Sequence, residues 1–157
     1  METFQPLYDM LQKISIPLKS GTNNRRGFPK HRSATFGLVR KRFTGKIELS
    51  SISIKHLQIY EELQRIGHAI EPSFTFTSIH VNHNVTCPRH VDSNNVGRSL
   101  IVGFGKYTGG QLVIEDEVID TFCNPVVFDG SKKTHWNLPH VGDKYSLVFY
   151  NILTTPT

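Results

Sequence analysis

The residues of this chain that could do chemistry fall in three places: His90-Val91-Asp92, then Thr134-His135-Trp136, then Gly142-Asp143-Lys144-Tyr145-Ser146. On an extended strand, residues two apart share a face, so His90 and Asp92 project together while Val91 points the other way. A second imidazole, from His135, completes a set of two nitrogens and one carboxylate oxygen. Three such ligands on one side of a metal suit Fe(II) and leave coordination positions open for a co-substrate and oxygen. Nine residues after His135, Lys144 offers a positive charge for a carboxylate of that co-substrate.

The elements around these residues read as helical first and β-rich later. Leu7, Met10, Leu11 and Ile14 fall at helical spacing and predict a short amphipathic helix over 4–14, ending before Pro17. Residues 18–33 carry Gly21, Asn23, Asn24, Gly27 and Pro29 and read as a loop. Residues 34–43 read as a strand, which would put Arg40 and Arg42 on one face. Leu57, Tyr60, Leu63 and Ile66 predict the strongest helix, over 53–68. From residue 73 the period changes to two. Strand-like runs follow at 73–82, 98–104, 111–115, 125–128 and 145–151, with turn signals at Asn94–Gly97, Tyr107–Gly110, Asp129-Gly130 and Val141–Asp143. Many short strands argue for a sandwich or jelly roll, backed on one sheet by the two helices. The expected organisation is one domain over 1–157, with 1–72 as helical, basic support and 73–151 as the β core.

Composition narrows the function classes. Hydrophobic residues make up 38% and charged residues 20%, an ordinary balance for a globular chain. No apolar run approaches the roughly 20 residues of a membrane span. The first residues lack a basic segment followed by an apolar one, so an intracellular protein is expected. Cys87 and Cys123 do not form a disulfide framework, and they read as thiols in a reducing compartment, a setting that also suits Fe(II).

The segment from about 74 to 151 resembles the double-stranded β-helix (jelly-roll, cupin-like) core of Fe(II)- and 2-oxoglutarate-dependent dioxygenases. The resemblance rests on His90-x-Asp92, Tyr107-Thr108-Gly109-Gly110-Gln111-Leu112, His135 and Gly142-x-Lys144-Tyr145-Ser146-Leu147. It implies a mainly β fold with N-terminal helices. It also implies His90, Asp92 and His135 as the iron ligands and catalytic centre, and Lys144 as the ion-pair partner of 2-oxoglutarate. The anchor is most often Arg in that family, and a Lys there resembles collagen-type prolyl hydroxylases. Arg grips a carboxylate with a planar fork, whereas Lys offers a point charge. Arg89–Asn95 and Ala34–Arg40 are similar to the ten-eleven-translocation and base-J-binding-protein group, which oxidises the methyl group of pyrimidines in nucleic acid. AlkB-type enzymes place an Asn before His-x-Asp, so Asn82 and Asn84, read on one strand face, join Ser146 as expected co-substrate contacts. A turn or edge hydrogen bond is the other reading of those Asn residues. The implied reaction couples decarboxylation of 2-oxoglutarate by O2 to hydroxylation of a C–H bond.

Several assignments stay open at this level. The chain carries eight histidines, and His140 rivals His135 as a ligand from the loop that follows it. His80 and His83 take opposite strand faces, so at most one faces the site. His31, His56 and His68 read as surface or helix residues, Trp136 as a core or rim residue, and Gly109-Gly110 as a tight turn. The net charge is +5, with Lys19, Arg25, Arg26, Lys30, Arg32, Arg40, Lys41, Arg42 and Lys46 before residue 50 against Glu2, Asp9 and Glu48. Such a block can attract DNA or RNA or can simply solvate the surface. Three functions are therefore weighed: oxidation of a methylated pyrimidine base, hydroxylation of a protein side chain such as proline, and a non-catalytic β-sandwich binding module.

Overall fold

The structure, a computed structural model, describes residues 1–19 and 31–154. Arg25, Arg26 and Lys30 of the basic block, with most of the expected loop, lie outside the described residues. The chain opens with a 3-10 turn, Glu2–Phe4, that runs into helix α1, Gln5–Gln12. Pro6 sits in the first turn of α1, where its missing N–H costs nothing. Leu7, Tyr8 and Leu11 are its buried stripe. The predicted helix over 53–68 is two helices, α2 (Ser51–Lys55) and α3 (Leu57–Ile70). They are separated by His56, whose φ of −122° and ψ of 59° leave the helical region. Ser50 caps α2, its Oγ accepting from Ser53 N at 3.4 Å. Helix α3 buries Ile59, Leu63, Ile66 and Gly67, the spacing of one helical face.

Among the described residues ten strands follow one another as β1 (Leu18–Lys19), β2 (His31–Arg40), β3 (Ile47–Leu49), β4 (Ser78–His83) and β5 (Ser99–Gly109), then β6 (Leu112–Ile114), β7 (Glu117–Ile119), β8 (Val126–Phe128), β9 (His135–Asn137) and β10 (His140–Tyr150). The larger sheet has the order β1-β2-β4-β10-β5-β8, with β3 on β2; the smaller has the order β7-β6-β9. All pairings within the two sheets are antiparallel. Strand β2 lies between β1 and β4, so part of the basic N-terminal third is a sheet strand rather than helical support alone.

Side chains alternate across the long strands and give the larger sheet two different faces. Ile79, Val81, Leu100, Val102, Phe104, Tyr145, Leu147 and Phe149 point to the helices and form the main core with Leu7, Leu11, Leu63 and Ile66. Gly67 permits the close approach of α3. A Cβ there would stand 2.7 Å from a Phe149 ring carbon and 2.8 Å from Phe76. The other face looks toward the smaller sheet. There Ile101, Leu112, Ile114 and Phe128 make a second, smaller apolar cluster. The space left between the sheets holds the candidate site. Among the described residues, no helix is long and apolar enough to cross a membrane.

Several boundaries differ from the sequence expectation; Leu18–Lys19 and the start of β2 at His31, inside the expected loop, are strand. Strand β5 runs to Gly109, past the expected end at 104. Strand β10 begins at His140, so Val141-Gly142-Asp143 is strand and not turn. Gly142 has φ +111°, and a Cβ there would lie 2.3 Å from the Lys106 carbonyl oxygen. The glycine reports a crowded strand pair, a signal that sequence alone reads as a turn. Strand β2 ends at Arg40, so Arg42 lies in the following turn and does not share a strand face with Arg40.

Candidate metal and co-substrate site

The loop after β4 delivers His90 and Asp92, and β9 delivers His135. His90 is not inside a strand; it forms a single antiparallel bridge to His135, with N–H···O distances of 3.1 and 3.0 Å in the two directions. Asp92 is held by its own N–H, which donates to the Gly130 carbonyl at 2.8 Å. The expected shared face is thus produced by a bridge and a loop rather than by a regular strand. One ligand atom from each of His90, Asp92 and His135 lies within 4.8 Å of the others.

The hydrogen bonds on the far side of each ring decide the chemistry. His90 Nδ1 faces the Pro88 carbonyl at 2.7 Å, and His135 Nδ1 faces the Lys133 carbonyl at 2.8 Å. A carbonyl only accepts, so both rings carry their hydrogen on Nδ1 and present Nε2 as a lone pair. These lone pairs face Asp92: His90 Nε2 is 3.5 Å from Oδ1, and His135 Nε2 is 3.2 Å from Oδ2. Acceptors turned toward one another need a cation between them, a proton or a metal ion. Orientation of ligand imidazoles by backbone carbonyls is the usual outer support of a metal centre. Gly130 packs beside the ligands, its Cβ position in ordinary contact distance of His135 Cε1 (3.4 Å) and Asp92 Oδ2 (3.5 Å). The donor set and its geometry therefore fit a divalent metal of the Fe(II) kind.

The cavity beside these ligands has about 590 Å³ of space free of atoms, part of it open to solvent. Lys144, Ser146 and Val148 line it from β10, and His80 and Asn82 from β4. Asn82 and Ser146 are cross-strand neighbours. Lys144 is 2% exposed. Its Nζ donates to the Gly110 carbonyl at 3.1 Å and lies 5.7 Å from the centre of the Tyr107 ring. Among the described residues no carboxylate pairs with it. Burial therefore lowers its pKa below the usual lysine value. Gly110, φ +69°, makes room for the ammonium, since a Cβ there would stand 3.0 Å from Nζ. The cavity thus brings three candidate metal ligands together with a buried lysine that pairs with no carboxylate among the described residues, a layout that suits an acidic chelator.

Two expected participants fall elsewhere. Asn84 does not share the Asn82 face, because β4 ends at His83 and Asn84 turns out at φ +54°. Its N–H donates to the Lys144 carbonyl at 2.8 Å, and its Oδ1 accepts from Lys144 N at 2.7 Å. It is exposed and tethers the edge of β10, the turn-type role rather than the pocket role. His140 opens β10 instead of lying in a loop, and it approaches Asn84 Oδ1 at 3.3 Å, apart from the three clustered ligands. Burial lowers its pKa, with the nearby Lys144 and His83 charges adding to the effect. Of His80 and His83, His80 is the one that lines the cavity.

Sequence reading placed Tyr107 in a turn and Trp136 in the core or at the rim, without the contacts each one makes. Tyr107 lies over Gly103, where a Cβ would be 2.4 Å from its hydroxyl; burial pushes its pKa up to about 12, so it stays a neutral donor. Gly103 and Tyr107 were visible in sequence, but no spacing rule predicts that a residue four positions on folds over a strand glycine. Trp136 lines the cavity next to His135, and the Arg89 guanidinium sits 4.2 Å from its ring centre. Arg89 directly precedes His90, so its nearness to the site was legible in sequence, but its stacking partner was not.

Two antiparallel sheets, with helices on the outer face of one and three candidate metal ligands between them, form the double-stranded β-helix fold that 2-oxoglutarate- and Fe(II)-dependent oxygenases also have. Solved structures share it, among them the following three. NgTET1 in complex with 5mC DNA superposes with a TM-score of 0.66 at 13% identity, covering 98% of this chain and 69% of that one. A Pseudomonas putida prolyl-4-hydroxylase gives 0.56 at 14% identity, over 97% and 87% of the two chains. An oxidoreductase of the 2OG-Fe(II) oxygenase family from Burkholderia pseudomallei gives 0.52 at 15% identity, over 91% and 74%. No protein-family profile matches the sequence, and no curated protein matches it. The fold expected from the sequence is therefore the fold observed.

Proposed function

We propose that this chain is an Fe(II)- and 2-oxoglutarate-dependent dioxygenase that hydroxylates a C–H bond, with a methylated pyrimidine base of DNA or RNA as the favoured substrate. The observation that carries the reading is the convergence of His90, Asp92 and His135 on one point, with both imidazole N–H groups already committed to carbonyls. His90, Asp92 and His135 hold the metal. Bound Fe(II) supplies the activation of O2 and the decarboxylation of 2-oxoglutarate to succinate.

The chain's own residues do the rest. Lys144 neutralises the distal carboxylate in a site where water screens little. Asn82 and Ser146 are placed to hydrogen-bond the co-substrate from adjacent strands. Ile101, Leu112 and Val148 give the cavity an apolar wall that keeps bulk water from the reacting atoms. Trp136 presents an aromatic surface at the cavity, suited to a flat ring. A base inside a duplex would have to be flipped out or offered single-stranded.

The nucleobase reading is supported by the basic N-terminal third and by the fold likeness to a protein solved with 5mC DNA. A prolyl-type protein hydroxylase is the second reading, favoured by Lys144 at the anchor position and by the fold likeness to a prolyl-4-hydroxylase. Conversion of 2-oxoglutarate to succinate, measured with Fe(II) alone, then with methylated DNA or RNA, then with proline-rich peptides, tests both. Stimulation by one substrate class selects it. No iron binding and no turnover under any condition would leave only the β-sandwich binding module.

A further inference from the structure

The turn between β2 and β3, residues 41–46, stands apart from the site and has no role in it. Its apex is Phe43, which is 96% exposed. A single apolar side chain on a surface is ordinary. This one differs in what surrounds it. Arg40, Lys41, Arg42 and Lys46 flank it, against Glu48 alone in the same hairpin. The Arg42 guanidinium lies 6.0 Å from the centre of its ring.

The turn is also firmly built. Lys41 N donates to the Lys46 carbonyl and Gly45 N to the Lys41 carbonyl, both at 2.8 Å. Arg40 clamps it with one guanidinium nitrogen on the Gly45 carbonyl at 2.8 Å and another on the Leu153 carbonyl at 2.9 Å. The second of these bonds fixes where the turn sits. Two residues before Leu153, the Asn151 carbonyl accepts from Val96 N at 2.8 Å, which anchors the loop that carries His90 and Asp92. The basic turn and the ligand loop thus hang from the same end of β10, and Asn95 of that loop lines the cavity.

An aromatic face held out on a rigid support between cations matches a polyanion whose units carry flat rings. Stacking on such a side chain is sequence-tolerant, because every base has a π-face, and neighbouring Lys and Arg track the phosphates. We propose that this turn is a nucleic-acid contact: Phe43 stacks on an unpaired base while Lys41, Arg42 and Lys46 meet the phosphates beside it. The proposal rests on the nucleobase reading above and names the surface that would hold the strand next to the cavity.

Fluorescence anisotropy with a labelled single-stranded DNA, the RNA of the same sequence and the matching duplex, over a salt series, tests it. Phe43→Ala should weaken single-strand binding by roughly 5- to 100-fold and leave the salt slope unchanged. Phe43→Trp should restore binding. Joint Lys41→Glu, Arg42→Glu and Lys46→Glu should flatten the log–log salt slope by about 0.7 for each phosphate of the single strand that is no longer neutralised. The three probes show whether DNA or RNA, and paired or unpaired strands, are preferred. Equal affinity of wild type and Phe43→Ala, or binding by the turn to phosphatidylserine vesicles in place of nucleic acid, overturns the proposal. Separate titration of the wild-type chain with Mn(II) keeps the two readings apart. Metal binding without nucleic-acid binding sinks this proposal and the nucleobase substrate with it, and leaves the oxygenase reading standing. Phe43-dependent strand binding without metal binding sinks the oxygenase reading alone.

Discussion

Two polar clusters built from the same residue types flank the β4–β10 pair, and they differ in what their hydrogen bonds leave over. One is His90, Asp92 and His135. The other is His83 and Asp143 with Tyr8, Gln12 and Tyr145, on the helix-facing side. In the second, Asp143 is met by donors. His83 Nε2 reaches Oδ1 at 2.6 Å, and Tyr8 Oη and Gln12 Nε2 reach Oδ2 at 2.7 and 2.9 Å. Gln12 also bonds the Tyr145 hydroxyl at 2.9 Å, and His83 stacks on Tyr145 with ring centres 4.2 Å apart. Burial alone would raise the Asp143 pKa, but the hydrogen bonds from His83 and Tyr8 outweigh it and hold the carboxyl below its ordinary value. This cluster is closed, and it fastens α1 to the sheet. In the first cluster the imidazole hydrogens point away, to carbonyls, and lone pairs point in. A site is recognised by the charge it still needs, and a structural knot by the charge it has already matched.

The sharpest way to break the comparison is to exchange the consequences of losing each carboxylate. Asp92→Ala or His135→Ala should lower Mn(II) or Fe(II) affinity by at least about 100-fold, since loss of even an outer partner commonly costs 10- to 100-fold. Turnover of 2-oxoglutarate should vanish with it, while the circular dichroism spectrum stays the same. Asp143→Ala should leave metal affinity within a few-fold of wild type. His140→Ala should do likewise; a large loss there would move the ligand role from His135 to His140.

The next effect concerns Lys144, whose ammonium pairs with no carboxylate among the described residues. Lys144→Ala should raise the 2-oxoglutarate concentration needed for half-maximal turnover by roughly 10- to 100-fold, the worth of a charged hydrogen bond in a dry site. Lys144→Arg should also be poor, because the guanidinium fork is larger than an ammonium and differently shaped. The pH dependence has a definite sign. On the proposed function the co-substrate binds the charged lysine, so affinity should be fully present while Lys144 is protonated and fall as pH rises through its pKa. Because burial lowers that pKa, the fall should begin below the ordinary lysine value of 10.5. Titration calorimetry with 2-oxoglutarate across alkaline pH checks this, and a curve identical in Lys144→Ala would assign the fall to another group.

The closed cluster predicts a change in stability rather than in chemistry. Asp143→Ala should destabilise the fold by roughly 1–3 kcal/mol at neutral pH, because it strands the donors of Tyr8, Gln12 and His83. The Asp143 pKa is depressed in the folded state, so its contribution is present above the unfolded value of about 3.9 and is lost as pH falls through the folded value. Urea unfolding should therefore show wild type and Asp143→Ala converging in acid. A constant difference down to the lowest pH at which the fold survives would remove the carboxylate from the account. The smallest effect is expected at Val118, 58% exposed on edge strand β7. Val118→Thr should change stability by no more than about 0.5 kcal/mol.

The open cluster was legible in the sequence and the closed one was not. His90-x-Asp92, the later His135 and Lys144 stand in an order that a metal-and-acid site requires, and residue types with that chemistry are few. The pairing of His83 with Asp143 and Tyr8 joins three distant segments through ordinary surface residue types, so no local pattern announces it. Helical spacing found the buried face of α3 through Leu63 and Ile66, but not the break at His56, which depends on one residue's backbone angles. Asn84 was misplaced for a similar reason. Alternation assigns it the Asn82 face, and a left-handed φ removes it. Gly142 misled in the opposite direction, since a glycine that admits a neighbouring strand has the same sequence signature as one that turns the chain.

Strand β10 has a consequence for how this protein could change over time. Its even residues, Lys144, Ser146 and Val148, face the cavity, and its odd residues, Tyr145, Leu147 and Phe149, belong to the main core. A shift of one residue in register would expose the core and empty the anchor site together. The proposed chemistry is therefore locked to the foldedness of the molecule and has little freedom to drift. The turn at 41–46 and the ligand loop are joined to the strand end by hydrogen bonds through Leu153 and Asn151. Substitutions in that turn can alter what is held near the cavity while the anchor stays in place. New preferences should accumulate at that margin, and the reaction itself should be the last property to disappear.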